Sequence, residues 1–382
     1  MVLTLVVLVL SFFLHLKWCG TTMSLSEEIW QKMLELHLTW HPFSIRYFTS
    51  YSVLFLQNAF SLPVRESFFM LQFPLAFVLA LVFYRYLRVL SFSQQQSTVG
   101  VFLLLSSYPI LCAHFEPVHT WDDFWSYLFV TMAVTSVIRG KLGAGMVYFT
   151  LGCFAREQTL LFYPVLVVAA GWFSKGVSPL RRTLWLLSPL IVYGSFYGAL
   201  WQNPDPKRFE LVRFNFEHSL RTRDTIFSLF ISFGFIWLAS VTALVRAMDA
   251  NRGKVSRLLF WGALFTGPAT VALTLFFTFA RETRIFFPPF IFLLPLALVE
   301  LTSAYSFIKK TKHLGRRMTQ IALFGLLMAI GFLLGKLAFP YFEYRSCGRF
   351  AQQWAGLHFG LILNLAAFYI TRIVIRYRAG DT

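Results

Sequence analysis

The sequence is poor in charge. Only 13% of its 382 residues are Asp, Glu, Lys or Arg, against 57% hydrophobic and 19% aromatic residues, which leaves too little polar surface to cover a soluble domain. Acids are the scarcer sign, 17 against 34 Lys and Arg. The four cysteines, Cys19, Cys112, Cys153 and Cys347, stand far apart without metal-ligand spacing, which excludes a zinc ribbon or a dense disulfide scaffold. No Asn-x-Ser/Thr acceptor occurs, an absence easier for a bacterial inner membrane than for a chain facing a secretory lumen. No glycine-rich nucleotide loop is present, and no basic arm or basic helix of the kind that grips nucleic acid. The first 20 residues lack a charged leader and a small-residue cleavage site, so they are expected to remain as a helix.

What is present is a series of long apolar runs, among them "TIFSLFISFGFIWLASVTALV" and "QIALFGLLMAIGFLLGKLAF", each near the roughly 20 residues that cross a bilayer as a helix. The pattern predicts an all-α polytopic membrane bundle, one transmembrane domain over residues 1–382, with about twelve crossings. They fall near 2–19, 67–87, 97–115, 123–138, 142–156, 158–174, 183–202, 225–245, 257–279, 285–304, 320–339 and 353–375. The net charge of +17 then has a topological meaning. Lys and Arg cluster between runs, as at Arg85/Arg88, Arg139/Lys141, Lys175/Arg181/Arg182 and Arg246/Arg252/Lys254/Arg257. Placing every such cluster in the cytoplasm gives an even number of crossings between neighbours and puts both termini inside. Cys19 and Cys347 then both lie outside, where a disulfide between them is one option.

Two outer segments stand out. In the exoplasmic loop 20–66, "SLSEEIWQKMLELHLTWHP" has Ser24 three residues before Glu27, a capping-box spacing, with Ile29, Trp30, Met33 and Leu34 at helical spacing and Pro42 as a stop. It predicts a helix lying on the membrane surface. The following "YFTSYSVLFLQNAF" is apolar but short, and reads as a re-entrant or interfacial piece. The loop 203–224 is amphipathic and basic, suited to an anionic lipid head group or simply to water. In the last third, Gly331 and Gly335 stand four apart, which predicts close helix packing.

Polar residues in the apolar sequence are few, and they mark candidate sites. Asp122 and Asp123 open the short predicted crossing 123–138; they read either as helix-capping acids or as a pair facing a recessed outer cavity, where they would bind a divalent cation such as Mg or Mn, or take a proton from a hydroxyl. His119, five residues after His114, would complete a metal site with them, although Pro117 interrupts any helix that would align the two histidines. The string FARE occurs twice, ending in Arg156/Glu157 and Arg281/Glu282, each with a proline ten residues after its Phe. Arg156, Arg281 and Arg284 read either as anchored helix ends or as forks for phosphate oxygens, with the neighbouring glutamate orienting each fork. The matched turns hint at a parallel internal repeat.

The layout resembles the GT-C superfamily of integral-membrane glycosyltransferases. A first crossing, a long outer loop with surface helices and a bundle with short crossings are similar in both. "HPFSIRYFTSYSVLFLQ" is similar to a P-F-x-x-R region of bacterial members, and "WDDFWSYLF" and "FAREQTLLFYP" look like later polar turns of the same proteins. The resemblance implies a polyprenyl-phosphate-linked sugar as donor, a lipid-linked or exported glycan as acceptor, and no nucleic-acid partner. It carries the catalytic carboxylate to Glu27 or Glu28 at the start of the loop helix, and donor binding to Arg46 together with Arg156, Arg281 and Arg284. Two other readings stay open: a transporter or flippase of a lipid-linked or anionic substrate, and a polymerase or ligase of lipid-linked glycans.

Overall fold

The computed structural model describes residues 26–39, 46–112, 121–200, 222–248, 253–277, 286–310, 316–338 and 348–378, with Arg213, Glu217 and scattered helical positions among 5–13. All elements among the described residues are helical. In chain order they are α1 (Glu27–Thr39), α2 (Tyr47–Phe60), α3 (Val64–Val89), α4 (Gln94–Leu105), α5 (Tyr108–Cys112), α6 (Asp123–Ile138), α7 (Leu142–Ala155) and a 3-10 turn (Glu157–Phe162). There follow α8 (Tyr163–Phe173), α9 (Pro179–Leu200), α10 (Thr222–Phe233), α11 (Phe235–Met248), α12 (Lys254–Phe277), α13 (Phe290–Lys310), α14 (Arg316–Ala338) and α15 (Gly348–Arg378).

Among the described residues, three helical stretches are long and apolar enough to cross a bilayer: Val64–Val89, Lys254–Leu275 and Gln352–Val374. A bent pair, Thr225–Phe233 with Phe235–Arg246, makes a fourth if counted as one span. Large apolar side chains face outward on other helices too, with Leu180 71% exposed, Ile191 61% and Leu337 76%, a surface that suits lipid better than water. The expected crossing 97–115 is interrupted: α4 stops at Leu105 and α5 starts again at Tyr108, with Pro109 in the first turn of α5, where its missing N–H would have had no helical acceptor. The expected crossing 158–174 opens as a 3-10 turn and becomes α-helical at Tyr163, with Pro164 in its first turn. The crossing expected over 225–245 breaks by 73° at Gly234.

That break depends on glycine. Gly234 has φ +52°, and a Cβ there would lie 2.1 Å from the His358 imidazole of α15. The Trp237 indole N–H donates to the Leu229 carbonyl across the break at 2.9 Å. Gly234→Ala is expected to destabilise the protein by at least about 1–3 kcal/mol from the backbone alone, before the clash is counted. A clear drop in melting temperature in detergent checks it.

Close packing of α14 and α15 has the cause expected for Gly331 and Gly335. A Cβ on Gly331 would meet the Gly360 backbone at 2.1 Å, and one on Gly335 the Gly356 backbone at 2.7 Å, so the two backbones touch where side chains are missing.

The loop helix α1 buries Trp30, Leu34 and His37, a face at i, i+4, i+7 spacing. Trp30 and Leu34 pack with Val53 of α2, Val64 and Phe68 of α3, and Trp121. The expected face is corrected in one respect: Ile29 is 38% exposed, because it lies a quarter-turn off that stripe, and His37 takes a place on the buried side. Helix α1 therefore docks on protein through this face.

Candidate functional site

The site is built by near-equal helix lengths. Helices α6 and α7 have 16 and 14 residues and are joined by a turn in which Gly140 has φ +74°. At about 1.5 Å per residue they span roughly 24 and 21 Å, so the end of α7 returns to the start of α6. Arg156, at the end of α7, thereby forms an ion pair with Asp123 in the first turn of α6. Their side chains are 7% and 1% exposed.

From the other side, α2 delivers Arg46. Its first turn is fixed on Trp121: the Thr49 hydroxyl donates to the Trp121 carbonyl at 2.6 Å, and the Trp121 indole N–H donates to Ser50 at 3.0 Å. Arg46 then donates two hydrogen bonds to Glu157, 2.5 Å and 3.1 Å long. The side chains are 11% and 38% exposed. Burial works to raise the Glu157 pKa, but the Arg46 guanidinium outweighs it and holds the carboxyl below its ordinary value.

Sequence neighbours are thus not partners. Arg156 and Glu157 were expected to orient each other; instead Arg156 has extended backbone (φ −161°, ψ 128°), which sends successive side chains to opposite sides. One reaches Asp123 and the other Arg46.

Asp122 is left over. Arg46 pairs with Glu157 and Arg156 with Asp123, and among the described residues no arginine lies within ion-pair distance of the third carboxyl. Asp122 is 2% exposed, and among the described residues neither of its oxygens has a hydrogen bond of normal geometry, because the neighbouring Thr49 hydroxyl is spent on the Trp121 carbonyl. His37 of α1 faces it, with Nδ1 3.9 Å from Oδ2; that ring stacks on Trp121 at 5.0 Å. Burial pushes the Asp122 carboxyl from 3.8 up to about 7, against the lowering pull of Arg46, the Thr49 hydroxyl and Arg156. The capping reading of Asp122 is corrected: it occupies the N-cap position of α6 but makes no side-chain capping bond. Its φ of −112° and ψ of 3° are not the extended backbone that a capping side chain usually has.

The glutamates lie elsewhere. The Glu27 carboxylate accepts the Val64 backbone N–H at 2.5 Å, satisfying a first-turn donor of α3. Glu28 pairs with Lys32 at 2.7 Å, with side chains 75% and 70% exposed. Both stand at the opposite end of α1 from His37, about 15 Å away along the helix. His119, Arg281 and Arg284 lie outside the described residues, as does the second FARE string. The prolines that follow the two strings differ in place: Pro164 lies in the first turn of α8, whereas Pro289 immediately precedes α13.

Near the acids the described residues leave a narrow crevice. The crevice next to the cluster, lined by Ser126, Thr159, Phe162 and Phe290, has no room for a water molecule, and a Ser126–Thr159 hydroxyl contact of 3.1 Å crosses it. Nor do the described residues make up a cation site: no three His, Cys, Asp or Glu converge, and Asp123 has taken Arg156 as its positive partner.

Sequence reasoning missed His37, although its spacing from Trp30 and Leu34 places it on their face. It also missed the Arg246–Glu300 pair between α11 and α13, 2.5 Å. Glu300 is 2% exposed and Arg246 also lies over the Tyr369 ring at 5.4 Å. A single acid inside "LPLALVELTS" was the available signal.

The fold and cluster together define an all-helical chain with apolar helices compatible with a membrane and a buried, charge-rich contact among α1, α2, α6 and α7. No family model, curated protein or solved structure matches the chain.

Proposed function

We propose that the protein is a GT-C-like glycosyltransferase of a bacterial inner membrane, with about twelve crossings, both termini in the cytoplasm and the loop helices α1 and α2 on the outer face. The observation that carries this reading is Asp122, a buried carboxyl with no well-formed hydrogen bond among the described residues, next to two arginine–carboxylate pairs. Its pKa of about 7 suits a general base at neutral pH. The glutamates of α1 are engaged elsewhere, so the base is assigned to Asp122.

In the proposed reaction, the oxygen of an acceptor hydroxyl attacks the anomeric carbon of a polyprenyl-phosphate-linked sugar. The bond from that carbon to the phosphate oxygen breaks, and polyprenyl phosphate leaves with the electron pair. Asp122 takes the hydroxyl proton. Arg46 and Arg156, near enough to depress the Asp122 pKa, supply positive charge beside the departing phosphate. Substrate entry requires the Ser126–Thr159 crevice to widen. Lack of a nucleotide-binding loop favours a lipid-linked donor.

A second reading, a transporter or flippase of a lipid-linked or anionic substrate, draws support from the 73° break between α10 and α11, since discontinuous helices build transporter sites. One experiment separates them. Lipid-linked and exported glycans are profiled in a gene-deletion strain rescued with wild type, Asp122→Asn or Glu28→Gln. Transfer predicts an acceptor lacking one sugar in the deletion and with Asp122→Asn, at about 10²-fold lower product or less, and full rescue by Glu28→Gln. Full rescue by Asp122→Asn sinks the enzyme reading. Accumulation of an unaltered lipid-linked glycan on the inner leaflet supports the flippase.

A further inference from the structure

The break between α10 and α11 encloses a second feature, remote from the acidic cluster in sequence and independent of the proposed transfer. A cavity of about 200 Å³ opens there, lined by Leu103, Ser107, Ser232, Ile236, His358 and Leu361 among others. By comparison with an apolar cavity of about 150 Å³ that holds benzene, it has room for roughly six to eight carbons, a segment of a longer chain whose remainder stays outside. No charged side chain lines it. The serine hydroxyls already donate to backbone carbonyls of their own helices, Ser107 to Leu104 at 2.6 Å and Ser232 to Ser228 at 2.6 Å.

His358 differs from them. It is 5% exposed, and its Nδ1 accepts the Phe235 backbone N–H at 3.3 Å, the first donor past the break. Its ring stacks on Phe235 at 5.7 Å and is admitted by the missing side chain of Gly234. A nitrogen that accepts a hydrogen bond cannot carry a proton, so a neutral ring holds its proton on Nε2. That N–H has no acceptor among the described residues. Leaving a buried donor unmade costs stability, and none of the lining groups lies within hydrogen-bond reach of it.

We propose that this cavity binds an aliphatic chain bearing a neutral oxygen acceptor, which takes the His358 Nε2–H while the chain fills the space toward Leu103, Ile236 and Leu361. The absence of lining charge disfavours an ionised head group there. The chemistry is shared by a lipid alcohol and by the ester carbonyl of a bilayer phospholipid.

The test is thermal unfolding of the full chain, purified and delipidated in detergent, with three probes: farnesol, its parent hydrocarbon farnesane, and dioleoylphosphatidylglycerol. An oxygen-bearing probe is expected to raise the melting temperature by about 3 °C or more at a hundredfold excess over Kd, and farnesane by less than half as much. Farnesol as the effective probe assigns the site to a free lipid alcohol, and the phospholipid assigns it to a bilayer lipid; either supports the proposal. Leu361→Trp, which fills the cavity and keeps His358, should abolish the shift. His358→Phe, which keeps the stacked ring, should make farnesol and farnesane equivalent. Equal shifts from farnesol and farnesane in the wild type, no shift from any probe, or a shift that survives Leu361→Trp would overturn it. The wild-type comparison and Leu361→Trp decide the matter even if His358→Phe does not fold.

Discussion

Arg156→Met is expected to destabilise the protein by about 3–5 kcal/mol, because it removes the partner of a carboxylate that is 1% exposed. Met retains the volume and the apolar contacts of the arginine stem, so the loss reports the stranded charge of Asp123 more than a cavity. The double variant Asp123→Asn/Arg156→Met should recover most of the loss, since it takes away the charge that was left unpaired, and Asp123→Leu/Arg156→Met should come close to wild type or exceed it. Unfolding in detergent by heat, read for all variants as a double-mutant cycle, measures the coupling directly. A single variant Arg156→Met as stable as wild type would show that the pair is not buried in the folded protein. The neighbouring pair provides an internal contrast: the Glu157 side chain is 38% exposed, solvent screens it, and Arg46→Met is expected to cost about 1 kcal/mol or less.

The second large effect belongs to Asp122 and is a dependence on pH. Its folded-state pKa is raised, from 3.8 to about 7, which is the reverse of an acid stabilised by a salt bridge. Between those two values the folded protein keeps a proton that the unfolded chain has lost. Stability contributed by this group is therefore greatest at low pH, declines as pH rises through the window, and is constant above about 7. The full shift corresponds to roughly 4 kcal/mol at about 1.4 kcal/mol per unit. Asp122→Asn should match wild type near the bottom of the window and be more stable by a few kcal/mol above it. The difference in unfolding free energy between wild type and Asp122→Asn, followed across that range, isolates this group from the other titrating residues. A difference that does not change with pH would show that the carboxyl is not held in a dry site. A variant that is more stable and yet inactive would separate the function of Asp122 from any part in holding the fold together.

The Asn substitution therefore tests two separate things. Stability reports whether the carboxyl is desolvated, and glycan profiling reports whether the proton site is used. A structural acid would normally be satisfied by capping or by an arginine, and neither is found for Asp122 among the described residues.

The sequence by itself determined the chemistry available: an apolar chain whose periodic runs form helices, glycine pairs that let α14 and α15 touch, and a handful of acids and arginines marked by their rarity. It also located the ends of the short helices α6 and α7, because charge and glycine bound each apolar run. Local composition is enough for such features, since each depends on residues within a few turns of one another. What only the tertiary structure decided is who pairs with whom. Asp123 meets Arg156 because two antiparallel helices have nearly equal lengths; Glu157 meets Arg46 across 111 positions; and Asp122 is buried beside groups that are already paired with others. Where proline or glycine interrupts a run, as at Pro109 and Gly234, the sequence marks the break, but the direction the chain takes afterwards, and hence the His358 cavity, is set by contacts with helices far away in the chain. Electrostatic identity is a property of a residue, whereas a desolvated and unbalanced charge is a property of its surroundings.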